Sequence, residues 1–215
     1  KKTFNSKLGI LGGLSVLGTS GIVEPMSNHA LVESLKLEMK KNLEFCDGNL
    51  LLVPGNYGEK FASTVLNLNC ERVIECSNFI GDAIDIGIEF GFKNILIIGH
   101  IGKMVKLGAG IMNTHSSFAD GRMDVIVTCA VLAGAEGGCL KQIPECATVD
   151  AALDILDEYG MTEKTMEKLT ERMEYYLNAR VKETVRIGAV VFSYKHDITL
   201  KTSDADNIIK MITEE

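Results

Sequence analysis

The sequence predicts an α/β protein: a mostly parallel sheet of about five strands, helices on both faces and a helical appendage. Three observations carry that prediction. Residues 49–53 and 94–98 are short, nearly continuous apolar runs without polar alternation, as expected of strands covered on both faces. Each run gives way to glycine or proline and then to a helical pattern, so residues 7–112 divide into four strand–helix units. Such units imply parallel strands joined by right-handed crossovers. Finally, 215 residues at 46% hydrophobic content are enough to bury one substantial core.

Taken in order, residues 7–11 read as a strand opening into the glycine-rich run from Gly12 to Gly21. Pro25 suits a first helical position, and Leu31, Leu35 and Met39 recur at four-residue steps in a helix to about Lys41. Residues 49–53 form the second strand, 54–58 a turn, and 59–66 a helix. Residues 72–76 form the third strand, after which Ser77 caps a helix reaching Phe90, with Gly91 as its left-handed stop. Residues 94–98 are the fourth strand, leading into a helix over 101–110. Residues 123–133, 150–159 and 162–182 read as helices separated by a loop over 134–148. In the longest, Met166, Leu169, Met173 and Leu177 recur at three- and four-residue steps and are assigned to packing. A fifth strand over 184–193, a polar extension or hairpin over 195–202 and a helix over 204–212 complete the pattern. The whole is an open, Rossmann-like sheet. Residues 1–125 hold the strand–helix repeats and the ligand site, 126–183 the helical appendage, and 184–215 return to the same α/β domain.

Charge narrows the function classes. Lys and Arg number 22 against 29 Asp and Glu, giving a net charge of −7 and a pI near 5.2. Nucleic-acid binders usually present a basic face, so no nucleic-acid partner is expected. No run approaches the roughly 20 apolar residues of a membrane span. The opening Lys-Lys-Thr-Phe-Asn-Ser leads into glycine-rich sequence instead of a signal-peptide core, so a cytoplasmic location is expected. The six cysteines show no C-x-x-C spacing, which favours reduced, buried thiols over a zinc or redox motif.

The candidate chemistry lies in residues 93–123. No Asp or Glu occurs from Phe90 to Ala119, while His100, Lys103, Lys106, Asn113, His115, Asp120 and Arg122 follow one strand end. In a continuous helix Lys103, Lys106, Gly110 and Asn113 would share a face. Paired lysines are most often a solvated face and a lone histidine a hydrogen-bonded one. Their clustering beyond a strand end points instead to a site for an anionic ligand. Glycines 12–21 form a strand–turn–helix cradle suited to a phosphate or nucleoside, although they match neither dinucleotide nor P-loop spacing. Glu75, closing the third strand, is placed either to accept bonds from ribose hydroxyls or to remain a surface carboxylate.

Residues 12–27, 99–107, Asn113-Thr114-His115 and Ala119-Asp120-Gly121-Arg122 closely resemble the cobalt-precorrin-5B (C1)-methyltransferase family of anaerobic cobalamin biosynthesis. The resemblance is strong over residues 8–122 and weaker beyond. It implies methyl transfer from S-adenosylmethionine, as co-substrate, to a ring carbon of a cobalt corrinoid, giving cobalt-precorrin-6A. Cobalt would arrive with the substrate, and no metal site is assigned to the protein. Family members carry an amino-terminal domain with a threonine- and glycine-rich signature absent here, so that domain is an expected partner, and the chain alone is expected to turn over poorly. A homo-oligomer is left open.

For this chemistry Gly12, Gly13, Ser15, Thr19, Ser20, Gly21, Glu24, Asn56, Glu75 and Asn78 are assigned to the methyl donor. Lys103, Lys106, Asn113, Thr114, Asp120 and Arg122 are assigned to the substrate's carboxylates. His100 or His115 would relay a proton, or His115 would only donate hydrogen bonds. Two rival classes stand beside this one: an enzyme taking a nucleotide or phosphorylated ligand in the same crevice, and a catalytically silent corrinoid-binding domain.

Overall fold

The structure is a computed structural model that describes residues 28–43, 47–69 and 72–214. The expected first strand and the glycine-rich run through Glu24 lie outside these residues. In chain order the elements are α1 (Asn28–Asn42), β1 (Asn49–Val53), α2 (Asn56–Thr64), β2 (Ile74–Glu75), α3 (Ile80–Glu89), β3 (Asn94–His100) and α4 (Ile101–Met104). A 3-10 turn, Val105–Ala109, follows. Then come α5 (Arg122–Leu132), α6 (Gly138–Gln142), α7 (Val149–Glu158), α8 (Thr162–Val181), β4 (Arg186–Ser193), β5 (Ile198–Lys201) and α9 (Ala205–Thr213). Among the described residues no helix is long and apolar enough to cross a membrane.

The sheet order is β2-β1-β3-β4-β5. The first four strands are parallel, with Leu50 opposite Ile95 and Ile95 opposite Ile187, and β5 runs antiparallel to β4. The apolar runs are continuous because each strand feeds two cores. Leu50, Leu52, Ile95, Ile97, Ile187 and Val191 point into one cluster, shared with α1, α3, α5, α7 and α8. Leu51, Val53, Leu96, Ile98, Val190 and Phe192 point into the other, under α2 and α9. The helices between residues 122 and 181 thus close over one face of the sheet. Burying side chains such as Ile95, Ile97 and Leu169 contributes about 1.5–3 kcal/mol each before chain entropy is counted.

The local departures have physical causes. The helix expected from Ser77 starts only at Ile80: Ser77 has φ +53, and Phe79 N–H donates to Cys76 O at 2.9 Å, closing a turn first. Helix α2 begins at Asn56, three residues before the expected start, and lies so close to β3 that a Cβ on Gly58 would come 2.3 Å from Ile98 O. The loop expected over 134–148 contains α6. The continuous helix over 101–110 does not form. It tightens to 3-10 geometry after Met104 and stops at Gly110, φ +73; the 3-10 turn packs so close to α8 that a Cβ on Gly108 would meet Leu169 at 2.7 Å.

Candidate functional site

Strand order reverses between β1 and β3: from β1 the chain runs to β2 on one side, and from β3 to β4 on the other. Such a reversal parts the connections and leaves a crevice beyond the carboxyl ends of the strands. Here it has a volume of about 660 Å³ and is lined by Pro54, Gly55 and Tyr57 after β1, by Gly99, His100 and Lys103 at the end of β3, and by Asp150, Tyr194 and Lys195. That volume suits a ligand of nucleoside or cofactor size, for which pockets span about 300–1,000 Å³.

His100 ends β3 and caps α4, its Nδ1 accepting from Gly102 N–H at 3.1 Å. In the neutral ring the proton then sits on Nε2, leaving that nitrogen as a donor. The ring is held edge-on to Phe192, with centroids 5.6 Å apart, and lies 6.3 Å from Tyr57. Lys103 is half-buried and donates from Nζ to Pro54 O at 2.8 Å, bracing the β1 loop against the β3 loop. Burial pushes its pKa below the ordinary lysine value, and the Cys76 and Glu75 side chains offset part of that. Cys76 itself is buried, and its thiol is pushed up to about 12, which leaves it inert.

The remaining expected residues fall into a neighbouring group. Lys106 does not share an exposed face with Lys103. It is 3% exposed, and its ammonium donates to Thr114 O at 3.0 Å and Ala119 O at 2.6 Å. The early switch to 3-10 geometry turns it inward, where burial lowers its pKa. Lys106 therefore ties down the loop over residues 111–121 instead of presenting a free charge. The same loop pairs with the start of α3: Thr114 N–H donates to Asn78 O at 3.0 Å, and Thr114 Oγ1 donates to Asn78 Oδ1 at 3.1 Å. Asn113 bridges to Phe79 across this contact and accepts from His115 N–H through Oδ1 at 3.0 Å.

His115 is exposed, its Nδ1 2.7 Å from Ser117 Oγ within its own loop. Asp120 and Arg122 form a two-pronged ion pair, Nη2 to Oδ2 at 3.0 Å. The Arg122 hydrogen bond holds the Asp120 carboxyl below the usual carboxylate range, and the same contact raises Arg122. Glu75 closes β2, as expected, and Asn56 opens α2 beside the crevice. His100 and Lys103 are thus the two expected residues that line the crevice, while Asn78, Asn113, Thr114, His115, Asp120 and Arg122 do not. Gly12, Gly13, Ser15, Thr19, Ser20, Gly21 and Glu24 lie outside the described residues.

Four lining residues escaped the sequence reasoning. Tyr194 and Lys195 directly follow β4, so extending the strand-end rule to the fifth expected strand would have found them. Tyr57 stood inside a run read only as a turn. Asp150 carried no signal, since it reaches the crevice only because α7 folds over the end of the sheet.

An open α/β sheet with a crevice at its strand-order reversal is the architecture in which small ligands are commonly held beyond the strand ends. Comparison with known families agrees with the sequence motifs: residues 113–203 match the CbiD C-terminal domain, and residues 1–25 match CbiD. The chain belongs to the CbiD family.

Among curated relatives, a cobalt-precorrin-5B C(1)-methyltransferase of Ruminiclostridium cellulolyticum is 40% identical over 100% of this chain and 57% of its own length. Proteins of the same name from Clostridioides difficile and Listeria monocytogenes are each 39% identical, over 98% and 96% of this chain and 52% and 56% of their own lengths. The chain therefore spans a little more than half the length of the curated relatives it matches. No solved structure matches it.

Proposed function

We propose that the protein takes part in S-adenosylmethionine-dependent C-methylation, converting cobalt-precorrin-5B to cobalt-precorrin-6A in anaerobic cobalamin biosynthesis, with the methyl donor bound in the crevice between the ends of β1 and β3. The observation that carries this reading is the 40% identity along the whole chain to a relative of that name. The crevice supports it physically. Its volume suits a nucleoside ligand, and Tyr57 and Tyr194 offer exposed aromatic faces, which attract a poorly hydrogen-bonding cation such as a sulfonium. The donor, when bound, supplies an electrophilic methyl group whose C–S electron pair returns to sulfur as the new C–C bond forms.

The residues of this chain supply position and charge, and no covalent protein nucleophile is required. Gly55 and Gly99 let the backbone approach the donor, and His100 offers Nε2–H toward the crevice as a hydrogen-bond donor or proton carrier. Lys103 and Arg122 supply positive charge for the carboxylates of the corrinoid, while Lys106 acts one step back by fixing the loop that carries His115 and Asp120. The reading places the protein in the cytoplasm, with the amino-terminal domain of a full-length relative as its partner.

The test incubates the protein with cobalt-precorrin-5B and S-adenosylmethionine labelled in the methyl group, with that amino-terminal domain added. Label recovered at C1 of the macrocycle is the expected result. Corrinoid binding without label transfer would instead indicate a silent binding domain, and ATP binding independent of methionine would indicate a nucleotide enzyme.

A further inference from the structure

We infer that Asp150 receives the α-ammonium of the methyl donor's methionine portion. The inference rests on the donor occupying the crevice proposed above, and begins with an unbalanced charge. Asp150 is half-buried in the crevice wall, opposite the β1 and β3 loops. Its Oδ1 accepts from Ser193 Oγ, on the last residue of β4, at 3.1 Å. Its backbone carbonyl accepts from His196 Nε2 at 3.1 Å, and Thr148 caps the same helical turn through Ala151 N–H at 3.2 Å. One carboxylate oxygen is therefore anchored by Ser193, and the backbone that carries it is held by His196 and the Thr148 cap.

No cation among the described residues pairs with it. The lysines that share the crevice are engaged elsewhere, Lys195 with Asp154 at 2.6 Å and Lys103 with Pro54 O at 2.8 Å, while His196 Nδ1 lies 2.9 Å from Asp157. A first-turn acid gains something from the helix dipole, which accounts for an acid on α7. It does not account for a crevice position in which Lys195 pairs with Asp154, Lys103 with Pro54 O and His196 Nδ1 with Asp157, leaving the Asp150 carboxylate without an ion pair among the described residues.

The two cationic centres of an adenosylmethionine-type ligand differ in what they want. A sulfonium has no N–H to donate and suits the faces of Tyr57 and Tyr194, whereas an ammonium carries three donors and is best met by a fixed carboxylate. Asp150 is the crevice acid that meets that need.

The experiment compares the unaltered chain with Asp150→Asn, measuring by calorimetry the binding of S-adenosylhomocysteine and of 5′-methylthioadenosine. The second ligand keeps the nucleoside and thioether but has no amino-acid portion. Asparagine retains an acceptor for Ser193, so the melting temperature should hold. The expected result is a loss of about tenfold or more in affinity for S-adenosylhomocysteine, with methylthioadenosine unchanged. Equal affinities in the two proteins, or an equal loss for both ligands, would overturn the assignment while leaving the methyl-donor reading intact. If the unaltered chain binds neither nucleoside, the methyl-donor reading falls, and this inference falls with it.

Discussion

Replacing Lys106 by Met removes the two ammonium contacts that hold residues 111–121 and keeps most of the side-chain stem in place. Each charge-assisted bond, to Thr114 O at 3.0 Å and Ala119 O at 2.6 Å, is worth about 1.5–3 kcal/mol against water. Against that stands the cost of burying the ammonium, visible in its lowered pKa. The variant also leaves two carbonyls, one on the buried residue Thr114, without their donor. The net loss should be about 2–3 kcal/mol. For a chain of this size that lowers Tm by roughly 4–12 °C. Urea denaturation should show a lower midpoint at unchanged slope, and hydrogen exchange should quicken at Thr114 and His115. A loss below about 0.5 kcal/mol would refute the tethering role. Full stability combined with weakened corrinoid binding would show Lys106 facing the ligand, as expected from a continuous helix.

Three further outcomes follow from the same contacts. Folding lowers the pKa of Lys106 below its unfolded value, so the unfolded chain binds more protons between the two values; stability conferred at this site should rise as pH climbs toward 10.5, seen in urea midpoints as a widening deficit of Lys106→Met relative to the unaltered protein. Gly58→Ala puts a Cβ 2.3 Å from Ile98 O and must push α2 off β3, costing about 2–3 kcal/mol and weakening S-adenosylhomocysteine, whereas Gly91→Ala, at φ +82 with nothing within 4 Å of the new Cβ, should cost about 1 kcal/mol and leave binding alone; thermal melts and calorimetry on both variants separate the cases. Arg122→Gln breaks an exposed ion pair and should change stability by under about 1 kcal/mol, so a clear fall in corrinoid affinity, read by spectral titration, would report direct contact.

The sheet was legible because its strands are apolar on both faces and short: residues 49–53 match β1 at both ends, and the run from Asn94 opens β3. The stop at Gly91 was legible as well, since φ +82 is a demand on one residue that the sequence displays directly. What escaped was decided by contacts distant along the chain. Nothing within residues 101–110 reveals that Leu169 of α8 will press on Gly108, yet that contact accompanies the switch to 3-10 geometry and the inward turn of Lys106. The position of Asp150 likewise depends on how α7 folds over the sheet end, and its tie to Ser193 spans more than forty residues of chain. The late start of α3 rests on a turn at Cys76 and on pairing of Phe79 with Asn113, a partner far along the chain.

If the crevice at the strand-order reversal receives the methyl donor, a crystal structure of the protein in complex with S-adenosylhomocysteine will place the ligand between the Gly55–Tyr57 loop and His100, with its amino-acid end toward Asp150. A ligand seated in the groove between α8 and β5, lined by Glu163, Glu167 and Thr199, would contradict that placement.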